Sequence, residues 1–230
     1  MGSETDRTGN DLTLQRLYEH RFSAEERATN ERLWRVLCES YLSRFIPPDA
    51  TVIDVGAGNC GFINHIRAKR RIAVDLDPGV KQRAAPEVET HVADIAALPA
   101  LLGARSVDVA FASNIFEHLP NGDELLKVLA AIRTILRPGG HIIILQPNVR
   151  LVGGRFWDFF DHTLPLTEAG MQEALAVAGF RTTSCKARFL PYTTKSGVPK
   201  PPWILRLYLA LPPAQWLFGK QFLIVATPEE

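Results

Sequence analysis

Val52-Ile53-Asp54-Val55-Gly56-Ala57-Gly58-Asn59-Cys60-Gly61 is the stretch on which the fold turns. The apolar run Thr51–Val55 has the length of a buried strand, and it passes directly into Gly56, Gly58 and Gly61 at G-x-G-x-x-G spacing. Glycines there allow a sharp turn and close approach of a ligand to the backbone. A strand, such a loop and a helix opening behind it make a nucleotide-binding turn. Asp54 stands at the strand's end and decides which ligand suits the loop. A dinucleotide rests its pyrophosphate on such a loop and on the following helix N-terminus, where a carboxylate repels it. Asp54 capping that helix is the alternative reading.

A ligand with positive charge and no phosphate fits better, and S-adenosylmethionine, which carries an ammonium and a sulfonium, has that chemistry. A second acid agrees. Ile72-Ala73-Val74-Asp75 reads as the next strand ending in a carboxylate, about twenty residues on, where this kind of sheet holds ribose hydroxyls. Asp77-Pro78 reads as a helix start with Asp77 as cap. Asp94, after His91-Val92-Ala93, is placed to accept a hydrogen bond from an adenine amino group, with Ile95 packing on the ring. Ala57 in the loop and Leu76 beside Asp75 complete the predicted cofactor cradle.

Outward from this centre, apolar runs alternate with helical stretches, the pattern of a parallel sheet with crossover helices. The strand candidates are Thr51–Val55, Arg71–Val74, Thr90–Ala93, Val107–Ala112 and His141–Gln146, with two more at Arg181–Leu190 and Phe222–Thr227. Leu125, Leu126, Leu129, Ile132 and Ile135 recur at helical spacing and predict a helix over Gly122–Leu136, stopped by a turn at Pro138-Gly139-Gly140. A helix over Thr167–Ala178 ends at Gly179. Helical pattern also fills 11–46, with Leu14, Leu17 and Tyr18 on one face and Leu33, Trp34, Leu37, Tyr41 and Leu42 on another. The whole chain, 1–230, reads as one domain: a helical region at 11–46, a cofactor-binding core at 50–146, an acceptor or lid region at 147–219, and a last strand and tail at 220–230.

Forty-six per cent of the chain is apolar, enough for a full core, and the net charge of +1 gives no global attraction to nucleic acid, which is not expected as a partner. Lys69-Arg70-Arg71, the compact basic cluster, reads as a solvated helix end. Cys38, Cys60 and Cys185 form no disulfide or metal-binding pattern, and Met1–Asn10 lacks the apolar stretch of a signal peptide. The expected setting is a reducing cytoplasm.

Taken in order, Asp-x-Gly-x-Gly, the strand-end Asp75, Ala93-Asp94, Val107-Asp108-Val109 and Leu136-Arg137-Pro138-Gly139-Gly140 resemble the class I, Rossmann-like S-adenosylmethionine-dependent methyltransferases. The nearest likeness is the subgroup that includes the small-molecule methyltransferases of ubiquinone biosynthesis. It covers 50–146 well and continues loosely to 227. The resemblance implies a seven-stranded, mostly parallel sheet of order 3-2-1-4-5-7-6 with strand seven antiparallel, an acceptor lid inserted before the last strand, and the cofactor across the carboxyl ends of strands one to four.

It also implies that Ser113-Asn114-Ile115-Phe116-Glu117-His118, after strand four, borders the transferring methyl, with Asn114 touching the cofactor's amino-acid end. Removing a proton from a hydroxyl nucleophile suits histidine near neutral pH, so Glu117, His118 and the later His162 are the catalytic candidates. Some relatives bind a divalent metal through Glu-x-x-Glu-His and a later histidine. Here Asn114 stands where the first acid belongs, and no metal is expected.

Asn148–Pro165 is long and aromatic, with Phe156, Trp157, Phe159 and Phe160. Within 201–218, Pro201–Pro213 reads as a short proline-bracketed helix, followed by Trp216-Leu217-Phe218. It is too short to span a bilayer and open to three roles: lid or core packing, an interfacial membrane helix, or a dimer contact. The expected activity is methyl transfer to a small-molecule or lipid-like acceptor, most simply at a hydroxyl. The protein would be cytoplasmic, with peripheral membrane contact through 201–218 open. A non-catalytic cofactor-binding scaffold and a nucleotide-dependent oxidoreductase are the alternatives.

Overall fold

In the computed structural model, residues 24–192 and 201–229 are described. Seven strands make one sheet: β1 Thr51–Val55, β2 Arg70–Asp75, β3 Glu89–Val92, β4 Val107–Ser113, β5 Leu136–Pro147, β6 Phe180–Leu190 and β7 Gln221–Pro228. Their order is β3-β2-β1-β4-β5-β7-β6. The first five are parallel, and β7 runs antiparallel to both of its neighbours, as the motif order implied. The helices are α1 Ala24–Ser40, α2 Val80–Arg83, α3 Leu98–Leu102, α4 Gly122–Ile135, α5 Val149–Val152, α6 Glu168–Val177, α7 Pro202–Ala210 and α8 Pro212–Phe218.

Successive side chains of the strands point to opposite faces, and both faces are buried. Val52, Ala73, Val109, Phe111, Ile143 and Leu145 pack on one side with Val36 and Leu37 of α1 and Leu209 of α7. Ile53, Ile72, Ala110, Ile142 and Ile144 pack on the other with Leu129 and Ile132 of α4 and Met171 and Leu175 of α6. Each fully buried large side chain stabilises the fold by about 1.5–3 kcal/mol. Local signals set the helix ends. The Asn121 side chain accepts the Glu124 amide at the start of α4, and the Thr167 side chain accepts the Gly170 amide at the start of α6. Gly179 follows α6 at φ 78°.

Three expectations are corrected. No helix opens behind the glycine loop, because residues 56–66 form consecutive turns. Cys60 sits at φ 57°, which breaks a right-handed run, and the Asn64 amide turns aside to bond the backbone of Arg83 and Ala85. Lys69-Arg70-Arg71 is not a helix end but the entry to β2. Arg70 pairs with Glu89, and Arg71 pairs with Glu87 while donating to the Ile63 and Asn64 carbonyls. Pro138-Gly139-Gly140 lies inside β5 rather than before it, at a register irregularity opposite Val107 and Val109. A Cβ on Gly140 would come within 2.9 Å of the Asp108 and Arg137 carbonyls, so glycine lets the strand pass. Leu14, Leu17 and Tyr18 lie outside the described residues.

Candidate active site

The site is built at the carboxyl ends of β1, β4 and β5. Gly56 (φ 70°) and Gly58 (φ 50°) turn the chain out of β1, and the Gly56 and Ala57 amides donate to the Val74 carbonyl. A Cβ on Gly56 would strike Ile115 at 2.6 Å, and one on Gly61 would strike the Trp34 indole at 2.2 Å. The spacing of these glycines therefore serves packing as well as any ligand. Arg83 braces the loop by donating to the Gly58 carbonyl at 2.8 Å and to Asp77 at 2.7 Å; Asp77 also accepts the Gly79 amide in a turn ahead of α2, but it is not the helix cap expected, since Gly79 holds that position without a side-chain bond.

A cavity of about 1240 Å³ opens over this loop. Ligand sites run to about 300–1,000 Å³, so the cavity is ample for a small molecule. It is lined by Asp54, Gly56, Ala57, Gly58 and Gly61 and, across from them, by Asn114, Glu117, His118 and His162. Asp54 is only 3% exposed. Burial, then the Asp75 carboxylate, push its acid up to about 8, against a lowering hydrogen bond from the Ile63 amide. A buried carboxylate so placed is a seat for a cation. Burial foremost also holds the Cys38 thiol far above the usual range and pushes Cys60 up to about 12, which leaves neither as a thiolate nucleophile.

Four predicted cofactor residues do not line this cavity. Asp75 gives both oxygens to backbone, accepting the Gly58 amide at 2.7 Å and the Asp77 amide at 2.8 Å. Asp94 caps a 3₁₀ turn by accepting the Ala96 amide, the kind of role weighed for Asp54. Ile95 is buried in the core and Leu76 is half exposed. All four lie at or just beyond the ends of β2 and β3, on the loop's flank.

Beyond β4, Asn114 sits at φ 50° with its amide donating to the Leu145 carbonyl and its side chain to the Ser113 hydroxyl, so it does not fold back on its own backbone. The hydrogen-bond network orients the buried Gln146 amide with its oxygen accepting the Ile115 and Phe116 amides and its nitrogen donating to the Glu117 carboxylate. Glu117 is buried, and its backbone carbonyl takes the Thr163 and Leu164 amides. That clamp brings the 159–164 loop onto the turn after β4.

The clamp sets His118 Nδ1 at 3.2 Å from Asp161 Oδ2 and 3.1 Å from the Asp161 carbonyl. Both partners are acceptors, so Nδ1 carries the proton and Nε2 keeps its lone pair in the neutral ring. His162 stacks on Phe159 at 4.9 Å, contacts Phe156 at 4.7 Å and lies edge-on to His118 at 5.0 Å. One ligand atom each of Glu117, His118 and His162 falls within 4.8 Å of the others.

Sequence reasoning missed Asp161 and Gln146. Asp161 adjoins His162, which was signal enough to weigh it. Gln146, polar at the end of the run Ile142–Leu145, gave only its incongruity. Pro201–Phe218 forms two helices rather than one. Trp203 and Leu207 are exposed and outside the cavity lining, whereas Ile204, Leu205, Tyr208 and Phe218 line it. Tyr208 donates to the Phe189 carbonyl at 2.6 Å, and its burial pushes the phenol up to about 12.

Residues 53–144 match the family model of a methyltransferase domain. No curated protein matches the chain. Among solved structures, an S-adenosylmethionine-dependent methyltransferase of Thermotoga maritima superposes with a TM-score of 0.64 at 16% identity, over 93% of this chain and 99% of that one. One from Archaeoglobus fulgidus gives 0.61 at 18% identity, over 85% of this chain and 93% of that one. These likenesses establish the fold, and the domain match spans the glycine loop, the acid-tipped strands and the Glu117-His118 turn. Residues 53–144 thus carry a methyltransferase domain, seated on the Rossmann-like fold of S-adenosylmethionine-dependent methyltransferases, with S-adenosylmethionine the cofactor that this likeness indicates.

Proposed function

We propose that this enzyme, acting as one domain, methylates a hydroxyl of a small-molecule or lipid-like acceptor, as in the small-molecule subgroup its motifs resemble. The carrying observation is His118, with Nδ1 on Asp161 and its ring on the cavity wall. The residues fit the cofactor. Asp54, buried in the lining of the same cavity, suits its ammonium, and Gly56, Ala57, Gly58, Gly61 and Asn114 leave room for its amino-acid end. Asp75, Leu76, Asp94 and Ile95 stand outside the cavity lining, and they meet the ribose and adenine in this reading only by the cofactor extending along the ends of β2 and β3. S-adenosylmethionine supplies an electrophilic methyl on a sulfonium.

His118 accepts the acceptor's hydroxyl proton at Nε2 as that oxygen takes the methyl, and Asp161 steadies the resulting imidazolium. Glu117, held by Gln146, and His162, held among Phe156 and Phe159, orient the ring and exclude water. His118→Gln should lower kcat about 10²- to 10⁴-fold with cofactor affinity unchanged, once an acceptor is found by labelled transfer into fractionated cell extract. Unchanged turnover would remove the base role.

The convergence of Glu117, His118 and His162 favours a second reading, a divalent cation that binds the acceptor oxygen. Chelation separates the two. Activity surviving it supports the base, whereas activity lost and restored by magnesium supports the cation. Tight cofactor binding with no transfer to any fraction would instead favour a scaffold.

A further inference from the structure

Between 181 and 228 the chain has seven lysines and arginines and no aspartate or glutamate, although its net charge is only +1. Within this stretch, α7, α8 and Leu211 between them expose Trp203, Leu207, Leu211, Trp216, Leu217 and Phe218, with Trp216 at 69% and Trp203 at 64%. Large apolar groups gathered this way mark an interaction surface. Arg188 lies 5.6 Å from the Trp216 ring, and Arg206, paired with Glu39 of α1 at 3.3 Å, is exposed on α7, so basic groups stand on the same face as the tryptophans. Among the described residues no helix is long and apolar enough to cross a membrane, and the nine- and seven-residue α7 and α8 suit lying along a surface.

We propose that the α7–α8 face docks on an anionic phospholipid bilayer. Two features favour this occupant over a second copy of the chain. A two-fold contact would set the same cationic stretch against itself, which repels, whereas anionic headgroups neutralise it. Tryptophan suits the boundary between headgroups and acyl chains, with its ring in the apolar layer and its N–H in the wet one. The face is also continuous with the cavity. Ile204 and Phe218 are 39% and 57% exposed and line it. A lipid-like acceptor can thus enter the cavity from the bilayer, and this deepens the proposed acceptor class on which it rests.

The test is co-sedimentation of the full chain with phosphatidylcholine vesicles, with and without phosphatidylglycerol, in the absence of cofactor and acceptor. The chain should sediment with the phosphatidylglycerol vesicles and be released by salt. Trp216→Ser with Leu217→Ser should weaken binding by more than roughly tenfold. Both residues are exposed and off the cavity lining, so cofactor affinity and melting should be unchanged. Failure of the wild type to sediment with phosphatidylglycerol vesicles, or equal sedimentation of the variant, overturns the proposal. So does a concentration-dependent dimer abolished by the same substitutions. Methyl transfer is measured separately, so the docking surface can fail while the reaction stands, and the reverse.

Discussion

Asp54 is a carboxylate whose proton should report on the cofactor. Its acid is raised to about 8 in the folded chain, above the unfolded value of about 3.9. The folded state therefore binds the proton more tightly. The stability this contributes is fully present below about pH 4 and is lost as pH rises through about 8. Seating an ammonium reverses the preference, because only the ionised carboxylate pairs with it. Affinity for S-adenosylmethionine should rise as pH is raised toward about 8 and gain nothing beyond, since the ligand's own amino group deprotonates near there. Calorimetry in buffers of different ionisation enthalpy should show a proton released on binding below that pH. Asp54→Asn should bind more than tenfold more weakly and lose this proton release. Release that persists in Asp54→Asn would assign it elsewhere. Gly61 makes a second demand at this scale. Gly61→Ala drives a methyl into Trp34 and should destabilise by about 1–3 kcal/mol in urea melts, while Gly154→Ala, which meets nothing within 4 Å, should melt close to the wild type.

Among the elements, α7 and α8 depend on one buried amide. Gln215 is 3% exposed, donates to the Leu209 and Tyr208 carbonyls that end α7, and accepts from Lys186 on β6. Gln215→Leu leaves those groups without it and should lower stability by about 1–3 kcal/mol, read as a shifted urea midpoint. Elements of this kind differ in how far they can be read beforehand. The strands β1, β2, β4, β5 and β7 were legible because both faces of the sheet are buried there, which writes each of them as a largely apolar run. The helix expected behind the glycine loop was not. G-x-G-x-x-G specifies the turn, while the left-handed Cys60 and the diverted Asn64 direct the chain beyond it. In the site, Asp54, Glu117, His118 and His162 were found by local pattern. Asp161 meets His118 across 43 residues, a pairing made by the backbone clamp at Glu117 that no spacing rule encodes. The exposure of Trp203 and Leu207 was equally hidden, since apolar residues on a short helix read the same whether they face a core or not.

For the molecule as a whole, a ligand bound only by the folded state raises the free energy of unfolding. S-adenosylmethionine at about a hundred times its Kd should add about 2.7 kcal/mol, visible as a raised melting temperature, and nicotinamide dinucleotides should add nothing. A shift with the dinucleotides and none with S-adenosylmethionine would return the glycine loop to the oxidoreductase reading. The strand order carries a different consequence, one of timing. β7, which comes after every other described strand in the chain, fills the gap between β5 and β6. Until Gln221–Pro228 has been synthesised and has left the ribosome, the Ile142–Leu145 edge has no antiparallel neighbour and β6 has nothing to join. The nascent chain therefore carries an open, apolar strand edge from the completion of β5 until β7 emerges, the kind of edge on which chains aggregate. A stop codon that removes β7 would keep that vulnerability for good, leaving the glycine loop intact in sequence but taking Gln221 from the cavity wall and the finished sheet from beneath it.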